Sequence, residues 1–157
     1  MPICQPLTPN PHMPMDTLFS LSNLLVLPFW ALMIFLPHWR WTKRLIASPL
    51  IAVPPALMYA ALVVPQIGGL FGVLANPELR AIAALLGTPA GATIAWVHFL
   101  TFDLLMGRWA YLESREKNIT AWLASPALFM VLMVGPIGFL LYLGLRYAWS
   151  LRRRPST

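Results

Sequence analysis

The chain has 157 residues, of which 59% are apolar or aromatic and 10% charged, against about 25% charged in ordinary soluble domains; this excludes a water-soluble core and leaves no room for a separate soluble catalytic domain. The net charge of +6 does not point to nucleic acid, because the basic residues sit between apolar blocks and form no single surface with interleaved aromatics. One cysteine, Cys4, excludes an intramolecular disulfide and a cysteine-based metal site.

Residues 1–15 carry Pro2, Pro6, Pro9, Pro11 and Pro14. They lack the basic and apolar regions of a signal peptide and are expected to form a disordered tail. Organised sequence begins at Asp16, which makes Met15 a candidate start. A first apolar block, Thr17 to Leu36, has the roughly 20 residues needed to cross the hydrocarbon core. Pro28 is expected to kink it, and its one amide, Asn23, is expected to hydrogen-bond to a neighbouring helix. Trp39 and Trp41 beside Arg40 and Lys43 mark a membrane interface.

A second block, Leu45 to Val64, carries Pro49, Pro54 and Pro55 in its first half, which should be irregular or packed against neighbours. The connection from Pro65 to Pro89 holds Asn76, Pro77, Glu78 and Arg80, too polar for another span. It reads as a short interfacial helix with Asn76 as N-cap, Pro77 at the first position and Gly87 at the close. Leu79, Ile82, Ala83 and Leu86 would share one face.

A third block, Ala90 to Gly107, contains His98, Thr101 and Asp103 and ends in Arg108 and Trp109. A fourth, Ala121 to Leu145, has Gly135-Pro136 near its middle, where a kink is expected. The reading is an all-α polytopic membrane protein: four transmembrane helices over residues 16–149, a short interfacial helix between spans two and three, and a basic tail at 150–157. With four spans, Arg40, Lys43, Arg44, Arg108, Arg115 and Lys117 face one side and Arg80, Arg146 and Arg152 to Arg154 the other. Six against five barely orients the protein.

The third block holds the chemistry. An ionisable side chain within a span costs about 2.5–3.5 kcal/mol on insertion scales and marks an internal or functional site. Asp103 is the one carboxylate so placed, with His98 near the bilayer midplane and Asp103 about 7.5 Å further along. At about 100° per residue His98, Thr101 and Arg108 share a face, while Asp103 lies about 140° from His98, beside Trp96 and Gly107. The two cannot point at one partner, so Asp103 should meet another element, Arg44, Arg108 or water. Asp103 is either a packing carboxylate or a proton donor or acceptor for a lipophilic substrate; His98 is either a satisfied interhelical histidine or its complement. No metal set, phosphate loop or nucleophile triad appears.

The run Trp96-Val97-His98-Phe99-Leu100-Thr101-Phe102-Asp103-Leu104-Leu105-Met106-Gly107-Arg108-Trp109 resembles the W-x-H-x-x-x-x-D-L-x-x-G-R-W signature of the abscisic-acid-deficient-four-like family. Ser22-Asn23-Leu24 with Pro28 and Trp30, and Gly135-Pro136-Ile137-Gly138 with Leu141-Tyr142, add to the resemblance over about Asp16 to Arg146. The family includes the plastid membrane protein needed for neoxanthin formation. The resemblance implies a four-helix membrane protein that binds or isomerises a carotenoid or related isoprenoid without any cofactor. Opening an epoxide and removing a polyene proton needs an acid and a base. The resemblance assigns these to Asp103 and His98 as catalytic residues, with Arg108 as anchor for a polar end ring and Trp96, Trp109, Thr101 and Asn23 as further substrate-contacting or structural candidates. Membrane lipids are the expected partners, with a bacterial inner membrane as the location. A non-catalytic subunit of a homo-oligomer or larger membrane complex is the alternative.

Overall fold

The computed structural model describes residues 15–152, and these form helices and turns with no strand. Three segments are long and apolar enough to cross a membrane: Met15–Phe35, Pro49–Ala75 and Pro89–Glu116. The first is a single helix, α1 (Met15–Phe35), with Asp16 in its first turn, where the positive end of the helix dipole favours a carboxylate. It runs unbroken through Pro28, whose side is exposed and has no packing to disturb. Of the tail expected at 1–15, only Met15 falls among the described residues, and it is already helical.

The second block begins later than its hydropathy suggests. Leu45 to Ala47 belong to α2 (Arg40–Ala47), an amphipathic helix that buries Thr42 and Ile46 and exposes Arg40, Trp41, Lys43 and Arg44. The chain breaks at Ser48, whose hydroxyl accepts the Leu50 amide at 3.3 Å. A 3-10 turn (Pro49–Ala52), α3 (Val53–Val63), a second 3-10 turn (Val64–Gln66) and α4 (Ile67–Ala75) then follow one another. The prolines stand in the first turn of each new segment, where no intrahelical donor is lost. That is why the span continues past Val64 and takes in Pro65 to Ala75, residues expected in the connection.

A short helix does follow the second span, α5 (Leu79–Leu86), two residues later than expected at its start. Asn76 closes α4 instead of capping α5, and Glu78 flanks α5 without a side-chain cap. Gly87 closes it, its amide donating to Ala83 O at 2.9 Å. None of α5 is buried, and Leu79 and Leu86 of the expected stripe face outward.

The third span, α6 (Pro89–Glu116), is the longest element, 28 residues or about 42 Å. Thr88 caps it by accepting the Gly91 amide at 3.0 Å, and Pro89 occupies its first position. It outruns the expected end at Gly107 by more than two turns. Asp103 therefore lies at the middle of the helix: 14 residues of α6 precede it and 13 follow.

The fourth block departs furthest from expectation. It splits into α7 (Ala121–Val134) and α8 (Pro136–Arg152), joined by Gly135 at φ +35°. Contacts along α6, used as a ruler, fix the course of each half. The turn at Lys117 to Thr120 starts α7 beside the end of α6, and Gly135 lies against Asp103 at mid-helix. Trp109 then touches Phe139 and Tyr142, Glu113 meets Tyr142 and Arg146, and Trp149 donates to Lys117 O at 3.3 Å. Thus α8 runs back alongside α6 to the level where α7 began. The block is a helical hairpin reaching half-way, not a kinked fourth span. A side chain at Gly138 would strike the backbone of Met130 and Val131, so the glycine lets the two arms close. Two Ala-Ser-Pro triplets in the chain take different structures: Ala47-Ser48-Pro49 breaks between helices, whereas Ala124-Ser125-Pro126 lies inside α7.

By the same ruler α1 runs parallel to α6, from Phe19 and Asn23 at Trp96 to Pro37 at Tyr111. The second span runs antiparallel to it, from Ala47 at Arg108 to Tyr59 at His98. The bundle thus has one end holding the α1–α2 connection, α2, the α6–α7 turn and the end of α8. The start of α1 and α5 occupy the other. Trp30, Met33, Leu104, Tyr111, Leu128, Val131 and Tyr142 form the core between α1, α6 and the hairpin.

Candidate functional site

Each conspicuous side chain of α6 meets a different neighbour. Trp96 donates to Asn23 Oδ1 at 3.1 Å and stacks on Phe19, fastening α6 to α1. Asn23 completes the interhelical contact expected of it and also donates to Phe19 O. Gly107 leaves room for the Trp30 ring, which would collide with any side chain there. Trp109 packs on Phe139 and Tyr142 of α8, with the Arg146 guanidinium 6.0 Å from its ring centre.

Arg108 turns towards α2, where Nη2 donates to Ala47 O. A cation on the last carbonyls of a helix satisfies an orphan acceptor and favours the negative end of its dipole. Its Nε is buried and has no hydrogen-bond partner among the described residues. Thr101 is buried and donates to Val97 O at 2.7 Å on its own helix, the usual resolution for a mid-helix hydroxyl.

His98 and Asp103 are different. The His98 ring lies 5.4 Å from Tyr59, 4.7 Å from Phe102 and 6.1 Å from Phe99, an aromatic shelf in the angle between α3 and α6. Phe99 and Phe102 are more than half exposed, so this shelf opens on the outer surface of the bundle. Asp103 is half-buried and faces the tip of the α7–α8 hairpin, where a Cβ on Gly135 would come within 2.8 Å of Oδ1. Among the described residues neither His98 nor Asp103 has a hydrogen-bond or ion-pair partner. None of the cations expected near Asp103 reaches it: Arg108 is committed to Ala47 O and Arg44 lies over the Trp41 ring. The separation of the two residues onto different faces holds, and the hairpin is the element that completes the surroundings of Asp103.

One polar cluster escaped the sequence reading. Glu113, only 13% exposed, binds Lys117 Nζ at 3.0 Å and Arg146 Nε at 3.1 Å through Oε1 and accepts the Tyr142 hydroxyl at 3.1 Å on Oε2. The i,i+4 spacing of Glu113 and Lys117 was legible; their meeting with Tyr142 and Arg146 depends on α8 turning back. No group of three or more metal-ligating side chains converges among the described residues.

No curated protein and no solved structure matches the chain. The family model described as ABA DEFICIENT 4-like matches residues 17–142, from the first turn of α1 through Tyr142, taking in His98, Asp103 and Glu113 and stopping short of Arg146. With most of its length covered, the chain belongs to the ABA DEFICIENT 4-like family.

Proposed function

We propose that this protein is an integral protein of the bacterial inner membrane that binds a carotenoid or related isoprenoid and isomerises it without a cofactor, with Asp103 as the proton-transferring group. The observation that carries this reading is the carboxylate at the middle of α6 with no partner among the described residues. An acid at that depth is costly, and one that only fixed helix packing would be hydrogen-bonded to the packing it fixed. The aromatic shelf of Tyr59, His98, Phe99 and Phe102 offers π-faces on the lipid-facing side, a suitable surface for an extended polyene.

In such a reaction a proton goes to an epoxide oxygen as its C–O bond breaks. A proton then leaves a carbon of the polyene to form the new double bond. Atoms and electrons balance with no oxidant or reductant. Asp103 supplies or recovers one of these protons; the two protons lie on neighbouring atoms of the substrate, so His98, about 7.5 Å along the helix and on another face, exchanges the other by way of water.

The test is expression in hosts that accumulate different xanthophylls, with pigments resolved by chromatography. The expected product has the mass of its precursor. Asp103→Asn should lower conversion about 10²-fold or more at unchanged membrane insertion. His98→Phe keeps the ring stack and should lose less. An unchanged pigment profile in every background would sink the reading. The competing reading, a non-catalytic subunit, draws on the way Trp96, Gly107, Arg108 and Trp109 each dock a different element. It predicts recovery in a larger complex with Asp103→Asn indistinguishable from wild type.

A further inference from the structure

At the end of the bundle where α1 stops and α7 begins, two cavities share Pro37 and His38. One, of about 410 Å³, is lined by Arg40, Lys43 and Arg115 together with the α6–α7 turn. No carboxylate lines it, and both ion pairs among the described residues use Glu113, so none of these three cations has an acidic partner. Arg115 is partly spoken for by Ile119 O at 2.7 Å, and Arg40 lies 5.5 Å from the Trp41 ring centre. The other cavity, of about 600 Å³, is a groove between the last turn of α1 and the first half of α7. Ile34, Phe35, Trp122, Pro126 and Phe129 make it almost wholly apolar, and it runs from the basic cavity towards the middle of the bundle.

We infer that this composite cleft is a binding site for an anionic phospholipid, the phosphate held by Arg40, Lys43 and Arg115 and one acyl chain laid in the groove between α1 and α7. Charge and polarity argue for that occupant together. A concave site with three uncompensated cations attracts an anion, and an apolar groove leading from it into the bundle asks for a hydrocarbon chain on the same molecule. A water-soluble phosphate would leave the groove empty, and a zwitterionic lipid would bring its own cation into the cluster beside its phosphate. Trp122, 90% exposed at the groove mouth, stands where aromatic residues meet headgroups. This site lies at the bundle end, away from Asp103 at mid-helix, and does not depend on the proposed isomerisation.

Delipidated full-length protein, titrated with phosphatidylglycerol or phosphatidylcholine of identical chains and read by native mass spectrometry, tests the assignment. Phosphatidylglycerol should bind about thirtyfold more tightly, the contribution of Arg40 and Lys43 at about 1 kcal/mol each, Arg115 being shared with Ser114 Oγ and Ile119 O. Arg40→Gln with Lys43→Gln should bring the two lipids near parity at unchanged helicity, while Arg80→Gln at the opposite end should leave the preference intact. Ser125→Phe, which narrows the groove without touching charge, should weaken both lipids and decides the matter even if the double variant folds poorly. Equal retention of the two lipids by wild type overturns the inference. So does a preference that survives the double variant, or displacement of lipid by millimolar inorganic phosphate with Ser125→Phe silent.

Discussion

Two carboxylates ten residues apart on α6 live in opposite circumstances. Glu113, near the bundle end, is held by Lys117, Arg146 and the Tyr142 hydroxyl. Asp103, at mid-helix, faces a bare glycine. The same α7–α8 hairpin makes both environments, its tip at Asp103 and its returning arm at Glu113. Where a carboxylate serves the fold, α8 brings it charge and hydrogen bonds; where the hairpin tip approaches the other, it brings only a backbone small enough to leave the acid open. The fold is thus anchored at one end of α6 and left polar and unsatisfied at its centre.

The hairpin carries the largest expected effect, all or none. In a Cys4→Ser background, single cysteines at Lys43, Arg80 and Ser150 can be labelled from either side of sealed vesicles. A hairpin puts Lys43→Cys and Ser150→Cys on one side and Arg80→Cys on the other; four full spans would put Ser150→Cys with Arg80→Cys. The hairpin also settles the near-tie in basic residues. Arg40, Lys43, Arg44, Arg108, Arg115, Lys117, Arg146 and Arg152 all belong to one end, and Arg80 alone among the described cations to the other. On this topology the positive-inside rule predicts that end, with residue 150, in the cytoplasm, and the sidedness of the labelling checks it.

Next in size is the hairpin tip. Gly135 combines a positive φ with contact to Asp103, so Gly135→Ala should cost about 1–3 kcal/mol through backbone strain alone. A loss of that size in thermal unfolding in detergent is expected; no loss would mean that the tip relaxes freely and does not position the acid. Glu113→Gln should cost about 1–2 kcal/mol, because it weakens charge-assisted hydrogen bonds while Lys117 and Arg146 remain partly solvated. An unchanged melting temperature would show that aromatic packing at Trp109 and Tyr142 holds α8 without the charges.

Much of this was written in hydropathy. The spans at α1 and α6 announce themselves by length and apolar content, and helical rotation alone separated His98 from Asp103 and required another element at the acid. Two features were not legible. Prolines at 49, 54, 55 and 65 looked like interruptions, yet each falls in the first turn of a new segment, so the second span runs on to Ala75. Gly135-Pro136 reads equally well as kink or as turn, because the decision rests on the φ of Gly135 and on backbone closeness at Gly138. Neither quantity has a hydropathy. The Glu113 cluster was hidden for the same reason, since Arg146 meets Glu113 only once the chain has turned back.

The smallest expected effect is the most informative. Asp103→Asn preserves shape and removes no ion pair, since none is formed, and it relieves the cost of an acid at the centre of a span. Stability should therefore stay within about 0.5 kcal/mol of wild type or rise, while Glu113→Gln in the same assay falls. Paired with the pigment measurement, this separates the roles of the two acids: one variant loses stability, the other loses chemistry. If Asp103→Asn instead unfolds as easily as Glu113→Gln, the carboxylate is fixing the hairpin against α6. Asp103 would then join Trp96, Arg108 and Trp109 as a docking residue of this helix, and the search for a proton-transferring group would move to His98.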